Sequence, residues 1–400
     1  MNHNRLYILL ISILIFIALF CDWSAAFAAD TEFPTFEKVV LDANIGKVCY
    51  AVTLADVDGD DKRDIVAVTE NQVLWYQAPD WKKRVIIKDQ TERDNVCIAP
   101  YDIDGDGKID FALGAGWTQV GTIQWLARGE SLDDKWNVHM IGQERWLHRM
   151  RFADVLDTGQ AQLVISPLNK TVGNGVRLTA FSIPENPKSD RWPQTVLDDT
   201  LNRMHNHWHL QDHNPAQTVL TLTASQEGLH AILKNKAGWT KKKISDGHAA
   251  EKPDQSGAGE VKFGEVNGAH RFITSIEPMH GHTLAVYTKE QGAPDFQRHV
   301  LTTELVRGHA LWTTDIDGDG DDEIVVGHSN TREGENLPRG IDVYDCTDDK
   351  AKAWTRHVID EGGIAVEDAI AADVTGDGKA DIIAGGRYTH NLVLYVNQGK

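Results

Sequence analysis

A nine-residue motif with acids at positions 1, 3, 5 and 9 recurs at near-constant spacing along the chain, and it constrains the fold more than any other feature. It reads Asp56, Asp58, Asp60 and Asp64 in its first copy and Asp102, Asp104, Asp106 and Asp110 in its second. The third copy has Asp315, Asp317, Asp319 and Glu323, and the fourth Asp373, Thr375, Asp377 and Asp381. Oxygen donors at this spacing around glycine suit a hard cation that takes six to eight oxygens, and Ca2+ is the expected occupant. An EF-hand would need a bidentate Glu at position 12 and flanking helices. Here β-branched runs such as Ile65-Val66-Ala67-Val68 follow at once, so the loops are read as strand-loop-strand sites.

Three worn copies begin at Asp154, Asp212 and Glu265, which makes seven units with first acids 46, 52, 58, 53, 50 and 58 residues apart. Each unit also carries a strand opening on an aromatic residue: Trp81, Trp136, Trp192, Trp239, Phe296 and Trp354. The seventh of these strands opens on Phe36, ahead of the first repeat, while the last repeat ends at 392–396 without one. The N-terminal strand is therefore expected to complete the last sheet, closing a ring and removing the unpaired edges of an open array. The fold class is all-β, a seven-bladed β-propeller of four-stranded antiparallel blades over residues 30–400. The residues four before each first acid, Val52, Ile98, Met150, Trp208, Val261, Leu311 and Ala369, are all apolar and are expected to pack blade on blade.

Residues 1–29 read as a secretory signal: Arg5, an apolar run from Leu6 to Phe20, and small residues before Asp30. The protein is expected to be exported to the periplasm or outside the cell, with no membrane span after cleavage. Cys49, Cys97 and Cys346 then remain, an odd number that is no disulfide framework, although Cys49 and Cys97 hold similar places in adjacent repeats and could pair. A net charge of −19 argues against a nucleic-acid partner, since phosphate neutralisation needs a basic surface that this balance does not supply.

In a propeller the inner strands begin, and the second strands end, at one mouth of the central channel. The inner-strand starts carry Tyr50, Asn95, His148 with Arg149, His205 with Asn206 and His207, Glu260, His309, and Glu367 with Asp368. The facing turns carry Trp117, His230, His280, His282, His328, Arg387, Tyr388 and His390, and the turns 166–176 and 328–340 are long. Histidine and carboxylate together supply general acids, bases and metal ligands, so the gathering of His148, His207, Glu260 and His309 is read as catalytic. In His205-Asn206-His207-Trp208-His209, alternation would put three imidazoles on one face. Either they join a transition-metal site or they hydrogen-bond backbone and water while Trp208 packs between blades. A serine elbow, H-E-x-x-H and phosphate- or dinucleotide-binding glycine loops are missing, and the adjacent Glu367 and Asp368 point apart on a strand, which argues against a glycosidase pair.

The acidic loops resemble those of FG-GAP or VCBS repeats, which build integrin-type propellers. The segments 205–212, 257–266 and 367–390 resemble the propeller of aldos-2-ulose dehydratase and of propeller-type polysaccharide lyases. That resemblance implies an exported lyase or sugar dehydratase that performs β-elimination on a sugar or uronic-acid glycan. In it His148, His207 or His309 would be base or metal ligand and Glu260 a ligand. Arg149 or Arg387 would clamp a carboxylate, and Tyr388 would donate a proton. A second divalent ion, Ca2+, Mg2+ or Zn2+, would fit the mouth. The alternative is a non-catalytic calcium-stabilised propeller that binds a glycan or a protein.

Overall fold

The strands gather into seven sheets of four, each antiparallel and each in chain order from the inner strand outward, except the last. In a computed structural model, which describes residues 33–210, 220–235, 238–268, 270–329 and 339–400, the sheets follow one another around a ring. Blades 1 to 6 cover 49–88, 97–143, 147–201, 206–245, 260–302 and 308–361. Blade 7 takes its three inner strands from 366–397 and its outer strand from Phe36–Asp42. That strand pairs with Leu392–Asn397 from Phe36 opposite Asn397 to Asp42 opposite Leu392, the closure expected from the displaced aromatic strand. Residues 1–29, and with them the signal reading, lie outside the described residues, as do Asp212 and most of the 328–340 turn.

Burial explains the strand sequences. The second strands Asp64–Thr69, Asp110–Ala115, Gln162–Pro167, Glu323–His328 and Asp381–Gly386 are buried at every position, being covered by sheets on both sides, and so read as continuous apolar runs. Outer strands such as Lys82–Lys88 are largely exposed and carry the charge. Seven apolar clusters fill the seven gaps between neighbouring blades.

Glycine sets the approach of neighbouring blades. A Cβ at Gly327 would come 2.4 Å from Val366 Cγ1, and one at Gly385 would come 2.5 Å from Cys49 Sγ. In each case the first residue of the next inner strand occupies the space a side chain would take. Cys49, Cys97 and Cys346 are all buried and unpaired, so the suggested Cys49–Cys97 bridge is not formed. Cys97 packs instead over Gly114, across the strand pair of its own blade.

Six of the seven residues expected to pack blade on blade lie in the inter-blade clusters. Trp208 does not behave like the rest. Its ring lies 5.3 Å from that of Trp312 of blade 6, with the Arg151 guanidinium of blade 3 and the Lys262 ammonium of blade 5 over it, which places it in the central channel.

Candidate functional site

The mouth of the channel is built where inner strands start and second strands turn back. His205 stands just before the strand Asn206–Leu210 of blade 4, and His280 lies in the turn after His270–Glu277 of blade 5. His280 holds a left-handed backbone conformation, φ 53°. His309 is the second residue of the inner strand of blade 6. One ring nitrogen from each of the three falls within 4.8 Å of the others. The rings of His280 and His309 stack at 4.5 Å, and His205 meets His280 edge-on at 4.7 Å.

The hydrogen bonds determine which nitrogen is bare. His205 Nδ1 lies 2.9 Å from Glu260 Oε1 and 3.2 Å from the Gly259 carbonyl, two acceptors, so Nδ1 carries the proton and Nε2 the lone pair. That Nε2 is 2.9 Å from His280 Nε2. His280 Nδ1 faces the Arg307 guanidinium at 3.2 Å and must accept, so its own Nε2–H donates to His205. His309 Nε2 lies 3.7 Å from Glu367 Oε1, while its Nδ1 is buried and lacks a hydrogen-bond partner. A carboxylate behind one imidazole and an orphaned nitrogen on another form a donor set that fits a transition-metal ion. Only His280 would have to give up a proton or release Arg307 to join it.

Burial, then neighbouring cations and imidazoles, lower the pKa of His148, His280 and His309 well below the usual histidine value, so these rings are neutral at pH 7. Burial also lowers His205, against the pull of Glu260. Glu260 is the reverse case. Burial alone would raise it, but the His205 hydrogen bond and the Arg149 charge outweigh that and hold it at about 2. Arg149 sits 3.4 Å from Glu260, and Asn206 donates to the second carboxylate oxygen.

His148 Nδ1 donates to the His205 carbonyl at 3.1 Å, which leaves its Nε2 lone pair free for proton transfer, and Trp117 flanks it at 5.9 Å. Across the mouth Arg387 donates to Glu367 Oε1, and its guanidinium lies 5.7 Å from the Tyr388 ring and 5.8 Å from that of Tyr50. Glu367 Oε2 is buried with no hydrogen-bond partner. Asp368 turns the other way and accepts from the Val52 amide, so the two adjacent acids do diverge.

Of the residues read as catalytic, His148, Arg149, Glu260, His309, Arg387 and Tyr388 therefore gather at or just beneath the mouth. His207 does not join them. Its Nδ1 bonds Ser166 Oγ of blade 3 at 2.8 Å and its ring lies beside His209, which packs it between blades 3 and 4. The cause is a one-residue slip in the fourth repeat: counting Asp212 as its first acid puts Trp208 on the blade face and His207 in the channel, and the structure reverses both. His205 and His280, both in the wider mouth set but not among the chosen residues, take the place that reading gave to His207.

The acidic loops are regular. The position-1 acid accepts from the glycine amide at position 4, as Asp56 does from Gly59 at 2.7 Å, Asp102 from Gly105 at 2.9 Å, and Asp315 and Asp373 from Gly318 and Gly376 at 2.7 Å. The acid at position 9 accepts from the amide at position 2, as Asp64 does from Val57. Ligand atoms at positions 1, 3 and 9 converge within 4.8 Å in the first three loops. In the fourth, the Thr375 hydroxyl donates to Asp381. The position-5 acids Asp60, Asp106 and Asp377 instead pair with Lys62, Lys108 and Lys379. Burial first, and neighbouring acids with it, push Asp64 and Asp110 up to about 6 and Glu323 up to about 9. Asp58 Oδ1 and Glu323 Oε1 are buried without partners. Oxygens so crowded and unsatisfied fit a bound cation.

Residues 120–290 match the family model of the aldos-2-ulose dehydratase β-propeller domain, and residues 56–113 match that of the FG-GAP-like repeat. The first match takes in His148, His205, Glu260 and His280; His309, Glu367 and Arg387 lie beyond it. Aldos-2-ulose dehydratase of Phanerodontia chrysosporium is 26% identical over 231 residues, 52% of this chain and 26% of that protein. The match thus spans about a quarter of that relative's length. Among solved structures, a chain from the crystal structure of BBS1N in complex with ARL6DN, soaked with lead, is similar in fold, with a TM-score of 0.55 at 12% identity. That likeness covers 92% of this chain and 98% of the other. Among the described residues no helix is long and apolar enough to cross a membrane.

Proposed function

We propose that the chain is an exported, calcium-stabilised propeller whose channel mouth performs β-elimination on a sugar, as a dehydratase or lyase. The observation that carries this reading is the convergence of His205, His280 and His309 from three successive blades, with Glu260 fixing the tautomer of His205. A divalent cation held by these imidazoles would supply positive charge beside a sugar carbonyl or carboxylate oxygen, where charge develops when the neighbouring proton leaves.

The chain's own groups do the rest. His148, neutral with a free Nε2 lone pair, and Glu367, with an unpartnered Oε2, are the two candidates to accept that proton. The Tyr388 hydroxyl stands beside Arg387 to protonate the departing oxygen, and Arg387 keeps donors for a substrate carboxylate or hydroxyl. Trp117 and Trp146, edge to face at 5.5 Å, offer an apolar wall for a sugar ring. The similarity to aldos-2-ulose dehydratase supports a carbohydrate as the partner.

The test is to load purified protein with Zn2+, Mg2+ or Ca2+ and follow ultraviolet absorbance of unsaturated product on a panel of ketosugars and uronic-acid glycans. Turnover that His205→Ala and His309→Ala abolish supports the proposal. No product on any substrate, together with saturable glycan binding that both variants retain, would replace it with the non-catalytic reading.

A further inference from the structure

Beneath the mouth a polar layer crosses the channel: Arg149 pairs with Glu260, Asn206 donates to Glu260, and Asp368 accepts from Val52. On the far side, toward the acidic loops, lies a cavity of about 330 Å3. Its cationic wall comes from two strands. Lys262 of blade 5 is only 3% exposed, and its ammonium sits 4.4 Å over the Trp208 ring and 5.4 Å from that of Trp312. Among the described residues that ammonium has no hydrogen bond and no ion pair. Arg151 of blade 3 donates to Asn206 at 3.1 Å and lies 4.8 Å over Trp208, again with no carboxylate in ion-pair range.

We propose that this cavity is a second ligand site, distinct from the mouth, and that it takes a small organic carboxylate with an apolar ring-sized body.

The charge count calls for an anion. Arg149, Arg151 and Lys262 border the cavity against Glu260 and Asp368, so one positive charge is left over whenever Lys262 is protonated, and Glu260 is already engaged by Arg149, Asn206 and His205. A buried ammonium whose three donors are unused is costly, and faces of Trp return only part of that cost. The same cost is visible in Lys262 itself, whose pKa burial and Arg151 depress to about 7. A carboxylate between Lys262 and Arg151 would satisfy both.

The body of the ligand follows from the remaining wall. Val52, Ile98, Met150, Phe152, Leu311 and Ile370 contribute aliphatic and aromatic surface beside the polar groups, which suits an arene or alicycle that carries its polar group at one end. A cavity of roughly 150 Å3 holds benzene, so twice that volume admits a benzoate-sized molecule with room for water. Phe152, Trp208, His209 and Trp312 keep partial exposure, which leaves an entry at the ends of the inner strands.

Benzoate and cyclohexanecarboxylate, each beside its neutral amide, can be titrated by calorimetry and by Trp fluorescence into wild type and into His309→Ala, Lys262→Met and Arg151→Met. The expected result is saturable binding of both carboxylates, at least tenfold weaker binding of the amides, unchanged binding in His309→Ala, and a tenfold or greater loss in each of the other two variants. Lys262→Arg should bind within a few-fold of wild type, which separates lost charge from lost structure. The proposal fails if neither carboxylate binds, if amides bind as well as acids, if folded Lys262→Met binds normally, or if binding disappears in His309→Ala alone. Because the mouth is disabled in His309→Ala, failure here and failure of the proposed elimination chemistry are read separately.

Discussion

Lowering the pH from 7 to 5.5 in excess calcium should cost this protein several kcal/mol of stability, through histidines the fold holds neutral. Burial depresses His148, His207, His280 and His309 well below the unfolded value of about 6.5, and takes His209 to about 3 and His230 to about 4. Above that pH both states are neutral and nothing is gained or lost. Below it the unfolded chain takes up protons that the folded chain refuses, so stability falls as pH falls. One pH unit below the unfolded value costs up to about 1.4 kcal/mol per ring, hence up to about 8 kcal/mol for the six, comparable to the total stability of many domains. Excess calcium is needed because the loop acids have the opposite sign. Asp64 and Asp110 are raised to about 6 when no cation holds them, so cation-free protein gains stability as they protonate. The assay is urea unfolding followed by Trp fluorescence at half-unit pH steps. His207→Asn, remote from both mouth and loops, should flatten the slope by about a sixth. An unfolding midpoint indifferent to pH between 7 and 5.5, or an unchanged slope in His207→Asn, would refute the reasoning.

Other perturbations test other parts of the molecule. Removing calcium with excess chelator should lower the melting temperature, since each site filled at a hundred times its Kd contributes about 2.7 kcal/mol; calorimetry with and without added Ca2+ reads this, and an unmoved transition contradicts the loop assignment. Glu260→Gln should weaken metal affinity at the mouth by about 10–100-fold, measured by competition with a chromophoric chelator, because the carboxylate that orients His205 is lost. Gly385→Ala would force a Cβ to within 2.5 Å of Cys49 Sγ and should cost about 1–3 kcal/mol in urea unfolding, without changing metal content.

The ring was legible because its signals are local and repeated. Phe36 and Leu392–Val396 could be matched from opposite ends of the chain since every other unit showed an aromatic-led outer strand and theirs were out of place. The site was legible only as a neighbourhood. His148, Glu260, His309 and Arg387 follow from their places at strand starts and turns, but the meeting of His205, His280 and His309 depends on ring orientation across three blades, which no spacing encodes. His207 shows how narrow the margin is: where the fourth acidic loop has lost its acids the register has no anchor, and a single residue moved an imidazole from the pore to the packing face. Lys262 gives no warning in sequence, because its environment is two Trp side chains from the neighbouring blade 4 and the next, blade 6.

The join between Phe36–Asp42 and Leu392–Asn397 makes the molecule a loop with an arbitrary starting point. Thr35 exchanges backbone hydrogen bonds with Gly399 and Gln398, so the two ends of the described chain leave the rim side by side. A short linker there, with new termini cut into the connection between Glu361 and Val366, would give a permuted protein whose last blade is sewn from contiguous sequence. Its seam would then depend on covalent bonds where the native one relies on antiparallel pairing alone.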